Sequence, residues 1–196
     1  MTPACRAETP AKSQVRFVCI MDKRYFTSLT IQEGLHVAMQ IEARNARIYE
    51  QFAELFKSLP DSDSQTIAAV FSDMAEEEYA HGNELHARYT AQFGEAPCTV
   101  TLDEVEDVVE LPRVPDGSIF AIARTGAATA PRTQAFAIAL AAEEGALRFY
   151  GRLAEITDDP ELSFFYQELG RFEANHVGEL RQRIELARDS VSGDTA

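Results

Sequence analysis

Cysteine is scarce in this chain and poorly placed to hold anything together. Cys5, Cys19 and Cys98 are its only three, far apart and without a Cys-x-x-Cys spacing. Neither a disulfide framework nor a zinc or iron–sulfur ligand set is suggested, and a reducing compartment fits best. Basic residues are also few, 18 against 32 acidic ones, for a net charge of −14. This argues against a nucleic-acid surface, because phosphate backbones demand clustered Lys and Arg. Long apolar runs are missing too. The patch from Val15 to Met21 is broken by Arg16 and followed at once by Asp22-Lys23-Arg24, too short for a signal core, and nothing approaches a membrane span. The expectation is a cytoplasmic protein with neither nucleic acid nor membrane as a partner.

Strand signals are weak throughout, whereas helical periodicity is sustained. With 196 residues, 45% of them hydrophobic, the chain is long enough to bury one core of ordinary domain size. Residues 1–27, rich in small and polar types, read as a loosely held arm. Thr30 facing Glu33 forms a capping-box pattern, and helical periodicity follows to about Lys57. Pro60 interrupts it, Ser62 with Gln65 offers a second cap, and a second helix is expected to run to Phe93 before Gly94. From about 94 to 132 the pattern dissolves into prolines, glycines and the acidic run Asp103–Asp107, with Ser118–Ala123 as a candidate short ordered piece. Periodicity resumes near Thr133 and lasts to Ile156. Asp159 as cap and Pro160 as first helical residue open a fourth helix to about Arg188, leaving 189–196 as a frayed tail. The class is all-α: residues 28–188 form four long helices, as two antiparallel hairpins joined by one long crossover between the second and third.

The chemistry lies in two short echoes, Glu78-Tyr-Ala-His81 and Glu173-Ala-Asn-His176. Three residues turn a helix by about 300°, so carboxylate and imidazole leave one face a turn apart and can grip one ion. One such pair means little in a chain with 32 acidic residues; two placed alike mean much more. Each pair interrupts an apolar stripe. In the second helix the stripe is Ile67, Phe71, Met74, Glu78, His81, Leu85 and Tyr89; in the fourth it is Leu162, Phe165, Leu169, Glu173, His176, Leu180 and Ile184.

The partner helices each offer one glutamate on a comparable stripe. Glu42 sits with Leu35, Met39, Asn45, Ala46, Tyr49, Phe52 and Phe56, and Glu143 with Phe136, Leu140, Ala146, Leu147, Tyr150 and Leu153. Glu144 points about 100° aside. Each lone glutamate precedes a tyrosine by seven residues, so the chain reads as two related hairpins, with Tyr49 and Tyr150 as core residues that also suit hydrogen bonds to carboxylates. Glu42 and Glu78 are each 18 residues from Pro60, and Glu143 and Glu173 each 15 from Asp158, so each pair is level along its own hairpin.

Four carboxylates and two imidazoles in a dry interior call for cations. Two divalent ions balance four glutamates beside neutral histidines, and a carboxylate-rich, histidine-poor donor set suits iron or manganese. The bland alternative has these groups pairing with one another and with Arg44, Arg47, Arg148 and Arg171. His36 and His86 fall off the stripes and read as surface or packed residues.

On this pattern of Glu, Glu-x-x-His, Glu, Glu-x-x-His, residues 29–188 resemble the ferritin-like di-iron proteins, particularly rubrerythrins and related erythrin domains, with bacterioferritin close to them. The resemblance implies a metal-ligand set of Glu42, Glu78, His81, Glu143, Glu173 and His176. Glu78 and Glu173 would bridge two metals, Glu42 with His81 would terminate one, and Glu143 with His176 the other. It also implies two iron ions as cofactor, with manganese or a mixed pair as variants, and a homodimer or higher homo-oligomer. Two departures matter. The four-cysteine rubredoxin-type iron site is missing, so electrons come from an external donor, and the second carboxylate expected three residues after Glu143 is Ala146.

The expected activity is a di-iron oxidoreductase reducing hydrogen peroxide or dioxygen. Iron binding or storage with ferroxidase activity on ferrous iron is the alternative, and a di-iron hydroxylase comes third.

Overall fold

The computed structural model describes residues 25–105 and 129–193, with side chains described over 25–105 and 132–186. Four long helices carry the fold: α1 (Ile31–Lys57), α2 (Ser62–Phe93), α3 (Thr129–Ile156) and α4 (Pro160–Gly193). Strands are absent among the described residues. α1 packs along α2 and α3 along α4 as two hairpins, and the hairpins meet mainly through the backbones of α1 and α3.

Local chemistry sets most helix ends. Thr30 caps α1 in a reciprocal box with Glu33, satisfying two backbone donors at once. Gly94 closes α2 at φ +61°, the left-handed region that glycine enters without steric cost. Asp159 accepts from the backbone N–H groups of Glu161 (2.9 Å) and Leu162 (3.2 Å) at the start of α4. α2 differs from the sequence reading by one residue. Its cap is Asp61 rather than Ser62, accepting from the Ser64 backbone at 2.9 Å and also bound by Arg132 of α3. A carboxylate held by a distant guanidinium is the better acceptor, and Gln65 instead reaches back to the Leu59 carbonyl at 2.7 Å.

Three further expectations need correction. α3 begins at Thr129, not Thr133, with Pro131 in its first turn, where a missing N–H breaks no intrahelical bond. α4 continues past Arg188 to Gly193, because 189–192 holds neither proline nor glycine to stop it. Phe26, assigned to the loose arm, is buried. Its ring meets Phe149 edge-on at 5.3 Å and lies under the Arg152 guanidinium. Residues 1–24 of the arm and the Ser118–Ala123 piece lie outside the described residues.

The apolar stripes are the core, apart from Met39, Leu140 and Leu147, which are only partly buried. That core is split in two. One cluster gathers Leu35, Ile41, Leu85, Tyr150, Leu153, Phe165, Tyr166 and Leu169. The other gathers Tyr49, Phe52, Phe56, Phe71, Phe136, Leu180 and Ile184, with Phe71 stacked against Tyr49, Phe56 and Phe136. Close approach of α1 to α3 in the first cluster relies on Gly34, where a Cβ would come within 3.1 Å of Leu153. Past the end of α2 the chain returns along α1, where Gln40 donates to the Val100 carbonyl at 2.8 Å and Val100 and Val105 are buried. Between the two clusters, on every helix, lies one polar layer.

Candidate metal centre

That layer contains Glu42 from α1, Glu78 and His81 from α2, Glu143 from α3, and Glu173 and His176 from α4, all buried. The four carboxylates are fully buried and the two imidazoles 8% and 7% exposed, so among the described residues what exposure the layer has is on its histidines. The structure brings all six together in two overlapping groups. Glu42, Glu78, His81 and Glu173 offer ligand atoms within 4.8 Å of one another, and so do Glu78, Glu143, Glu173 and His176. Glu78 and Glu173 belong to both groups.

Histidine geometry repeats across the layer. His81 Nδ1 lies 3.6 Å from Glu42 Oε2 and 3.9 Å from Glu173 Oε1. His176 Nδ1 lies 3.7 Å from both Glu78 Oε1 and Glu143 Oε2. These separations are too long for hydrogen bonds and suit atoms that share a ligand. Among the described residues, eight buried atoms here have no hydrogen-bond partner: Glu42 Oε2, both oxygens of Glu78 and of Glu173, Glu143 Oε2, and Nδ1 of each histidine. Buried polar atoms are almost always satisfied, so eight orphans converging on one spot form a place that could hold cations.

The outward oxygens, by contrast, are satisfied. Tyr49 of α1 donates to Glu143 Oε1 of α3, and Tyr150 of α3 donates to Glu42 Oε1 of α1. Each tyrosine crosses to the other hairpin and turns the second oxygen of its partner inward. Three arginines of the bland alternative look elsewhere: Arg171 pairs with Glu168 at the surface, and Arg47 and Arg148 are exposed; Arg44 is half-buried and its charge acts on Glu42. Glu144 pairs outside the layer with Arg181 at 2.7 Å. His36 is half-buried beside Tyr89, off the layer.

Electrostatics without metal follow from this crowding. Burial pushes Glu42 up to about 8, helped by the Glu143 charge and opposed by Glu78 and Arg44. Glu78 and Glu173 are driven well above the carboxylate range, by burial first and then by their acidic neighbours. Glu143 goes the other way: burial raises it, but Glu173, His176 and Tyr49 together outweigh burial and hold it below its ordinary value. Burial likewise lowers His176, yet Glu143, Glu77 and Glu78 overcome it and lift the imidazole to about 9. The metal-free layer therefore keeps its charge on Glu143 and His176 and neutralises the other carboxyls with protons.

Two side chains beside the layer escaped sequence reasoning. Glu77 Oε2 lies 2.5 Å from His176 Nε2, and the Phe172 ring lies 5.1 Å from the His81 ring. Glu77 belongs to the run Glu76-Glu77-Glu78, which reads as a solvated face, and a usable signal is its place immediately before the inward glutamate. Asn45 is fully buried, one turn after Glu42, and neither of its amide atoms has a partner.

A scan against protein-family models matches none, and a search of curated proteins returns no match. Solved structures do match. A hypothetical protein from Pyrococcus furiosus is 22% identical with a TM-score of 0.58, over 82% of this chain and 92% of that one. An uncharacterized conserved protein from Magnetospirillum magnetotacticum MS-1 is 25% identical with a TM-score of 0.61, over 80% and 95%. The fold they share with this chain is a four-helix bundle of two packed hairpins. Within it, the buried Glu and His groups could hold metal.

Proposed function

We propose that this layer is a carboxylate-bridged two-metal centre and that the protein is a non-haem di-iron redox protein of rubrerythrin type. In this reading Glu78 and Glu173 serve both ions, Glu42 and His81 complete one position, and Glu143 and His176 complete the other. The observation that carries it is the pair of four-residue groups sharing Glu78 and Glu173, with eight otherwise orphaned atoms facing inward. A donor set of four carboxylates and two imidazoles balances two divalent cations and suits iron, or manganese, over softer metals.

Two iron ions held by these residues would supply two electrons, enough to reduce hydrogen peroxide to water; dioxygen would need two more, drawn from the external donor. The chain's own groups prepare the site. Tyr49 and Tyr150 fix the rotamers of Glu143 and Glu42, so the donors are preorganised. The two apolar clusters exclude bulk water above and below the layer. Access is left to the slightly exposed histidine side. These 196 residues hold three cysteines, one short of the four-cysteine iron site of rubrerythrins, so in this reading electrons reach the centre from a donor outside this bundle.

Peroxide turnover tests it. Iron-loaded protein given reductant and repeated additions of peroxide is expected to cycle with iron constant at two per chain. Accumulation of oxidised iron well beyond two per chain would favour storage with ferroxidation, and a protein that never takes up iron would remove both.

A further inference from the structure

The two halves of the layer are related by the repeat of the hairpins, yet their outer surroundings differ at one matched position. The residue before the inward glutamate is Glu77 on α2 and Phe172 on α4. Each reaches across to the histidine of the other helix. Glu77 Oε2 stands 2.5 Å from His176 Nε2, while the Phe172 ring packs at 5.1 Å, tilted 44°, against the His81 ring. Among the described residues, Nε2 of His81 has no protein acceptor.

A histidine that ligates through Nδ1 must carry its proton on Nε2, and what accepts that proton sets both the tautomer and the basicity of the ligating atom. A carboxylate acceptor fixes the imidazole plane and pushes electron density toward Nδ1. A phenyl ring does neither. We infer that Glu77 is a positioning residue that makes the two metal positions unequal, so that a first divalent ion settles at Glu143 and His176 and a second, more weakly, at Glu42 and His81. This inference rests on the two-metal reading above and adds an order of filling to it.

The gap expected is on the order of 10- to 100-fold in affinity, the usual effect of a carboxylate behind a ligating histidine. Glu77 and Phe172 are both about half-exposed, 56% for the Glu77 side chain and 50% for Phe172, so changing either leaves the buried clusters intact. The probe is zinc. Crystals of the full chain holding one zinc equivalent per chain are expected to show one anomalous peak, beside His176 Nδ1. Titration in solution is expected to show two steps, with the first weakened about tenfold or more in Glu77→Ala and restored in Glu77→Asp. Phe172→Glu is expected to tighten the second step toward the first. A matching thermal midpoint of each metal-free variant and the wild type checks that the bundle is intact.

Equal peaks at both positions, a first peak beside His81, or two steps unchanged in Glu77→Ala would overturn the inference while leaving two ions per chain in place. No zinc at either position would overturn it together with the two-metal reading.

Discussion

Tyr150 of α3 donates its hydroxyl to Glu42 of α1, tying the two hairpins together at the level of the polar layer. The bond leaves Glu42 Oε2 facing inward without a partner, 3.6 Å from His81 Nδ1. Tyr49 and Glu143 make the reciprocal link. Removing one hydroxyl, as in Tyr150→Phe, leaves Oε1 of a buried carboxyl without the hydrogen bond it accepts and is expected to cost about 1–3 kcal/mol in the metal-free protein. The denaturant midpoint, at unchanged slope, reads this out. Both single variants should also bind metal more weakly, since the inward oxygen is no longer aimed.

Glu78 has no hydrogen bond on either oxygen and shares its space with three other carboxyl groups. A neutral amide of the same shape relieves that crowding. Glu78→Gln is therefore expected to raise the stability of the metal-free protein at pH 8 while losing a ligand common to both positions. Thermal melts with and without added metal would show the metal-free midpoint rising and the metal-dependent increase shrinking. A variant less stable without metal would show that Glu78 serves as structural glue.

Stability against pH should invert when metal is added. Glu42 is raised from 4.5 to about 8 and His176 from 6.5 to about 9. Both bind more protons in the folded state, so the stability they contribute is present at low pH and is lost as pH rises through these values. Glu143 is shifted down, but its loss falls below its ordinary value of 4.5 and outside this window. Metal-free protein should thus melt lower at pH 8.5 than at pH 6. Metal must displace the same protons, so affinity and metal-bound stability should rise over that interval. Melting midpoints at the two pH values, with and without metal, check both signs.

Phe71 anchors the cluster that holds Tyr49, with its ring centroid 5.0 Å from Phe52 and 5.4 Å from Phe136. It also stacks on Tyr49 at 6.0 Å. Phe71→Ala is expected to cost about 3–5 kcal/mol by opening a cavity, and to loosen Tyr49 and thus Glu143. Chemical denaturation gives the first quantity and metal titration the second.

How much of this was legible in the sequence depends on how far each determinant reaches along the chain. Thr30 with Glu33, Gly94, and Asp159 with Pro160 act within one turn, and the ends they set are where spacing puts them. The layer was legible for another reason. Glutamates at equal distance from a turn must lie level once helices form, so Glu42 meets Glu78 and Glu143 meets Glu173. The misplaced features depend on distant partners. Asp61 outcompetes Ser62 as a cap with help from Arg132, some seventy residues away. Phe26 is drawn from the arm by Phe149 and Arg152, and Glu77 is chosen from an acidic run by His176. For Asp61 and Phe26 no local pattern marks the side chain out, and for Glu77 the one signal is its place beside Glu78.

Metal content and its dependence on Glu173 bear on the central claim most directly. Glu173 belongs to both four-residue groups, so losing it should disable both positions. Protein loaded with iron under anaerobic conditions and then desalted is expected to retain two ions per chain, and Glu173→Ala, still helical and folded, is expected to retain close to none. Two ions kept by Glu173→Ala, or none kept by the unaltered chain, would contradict the assignment of this layer as a shared two-metal centre.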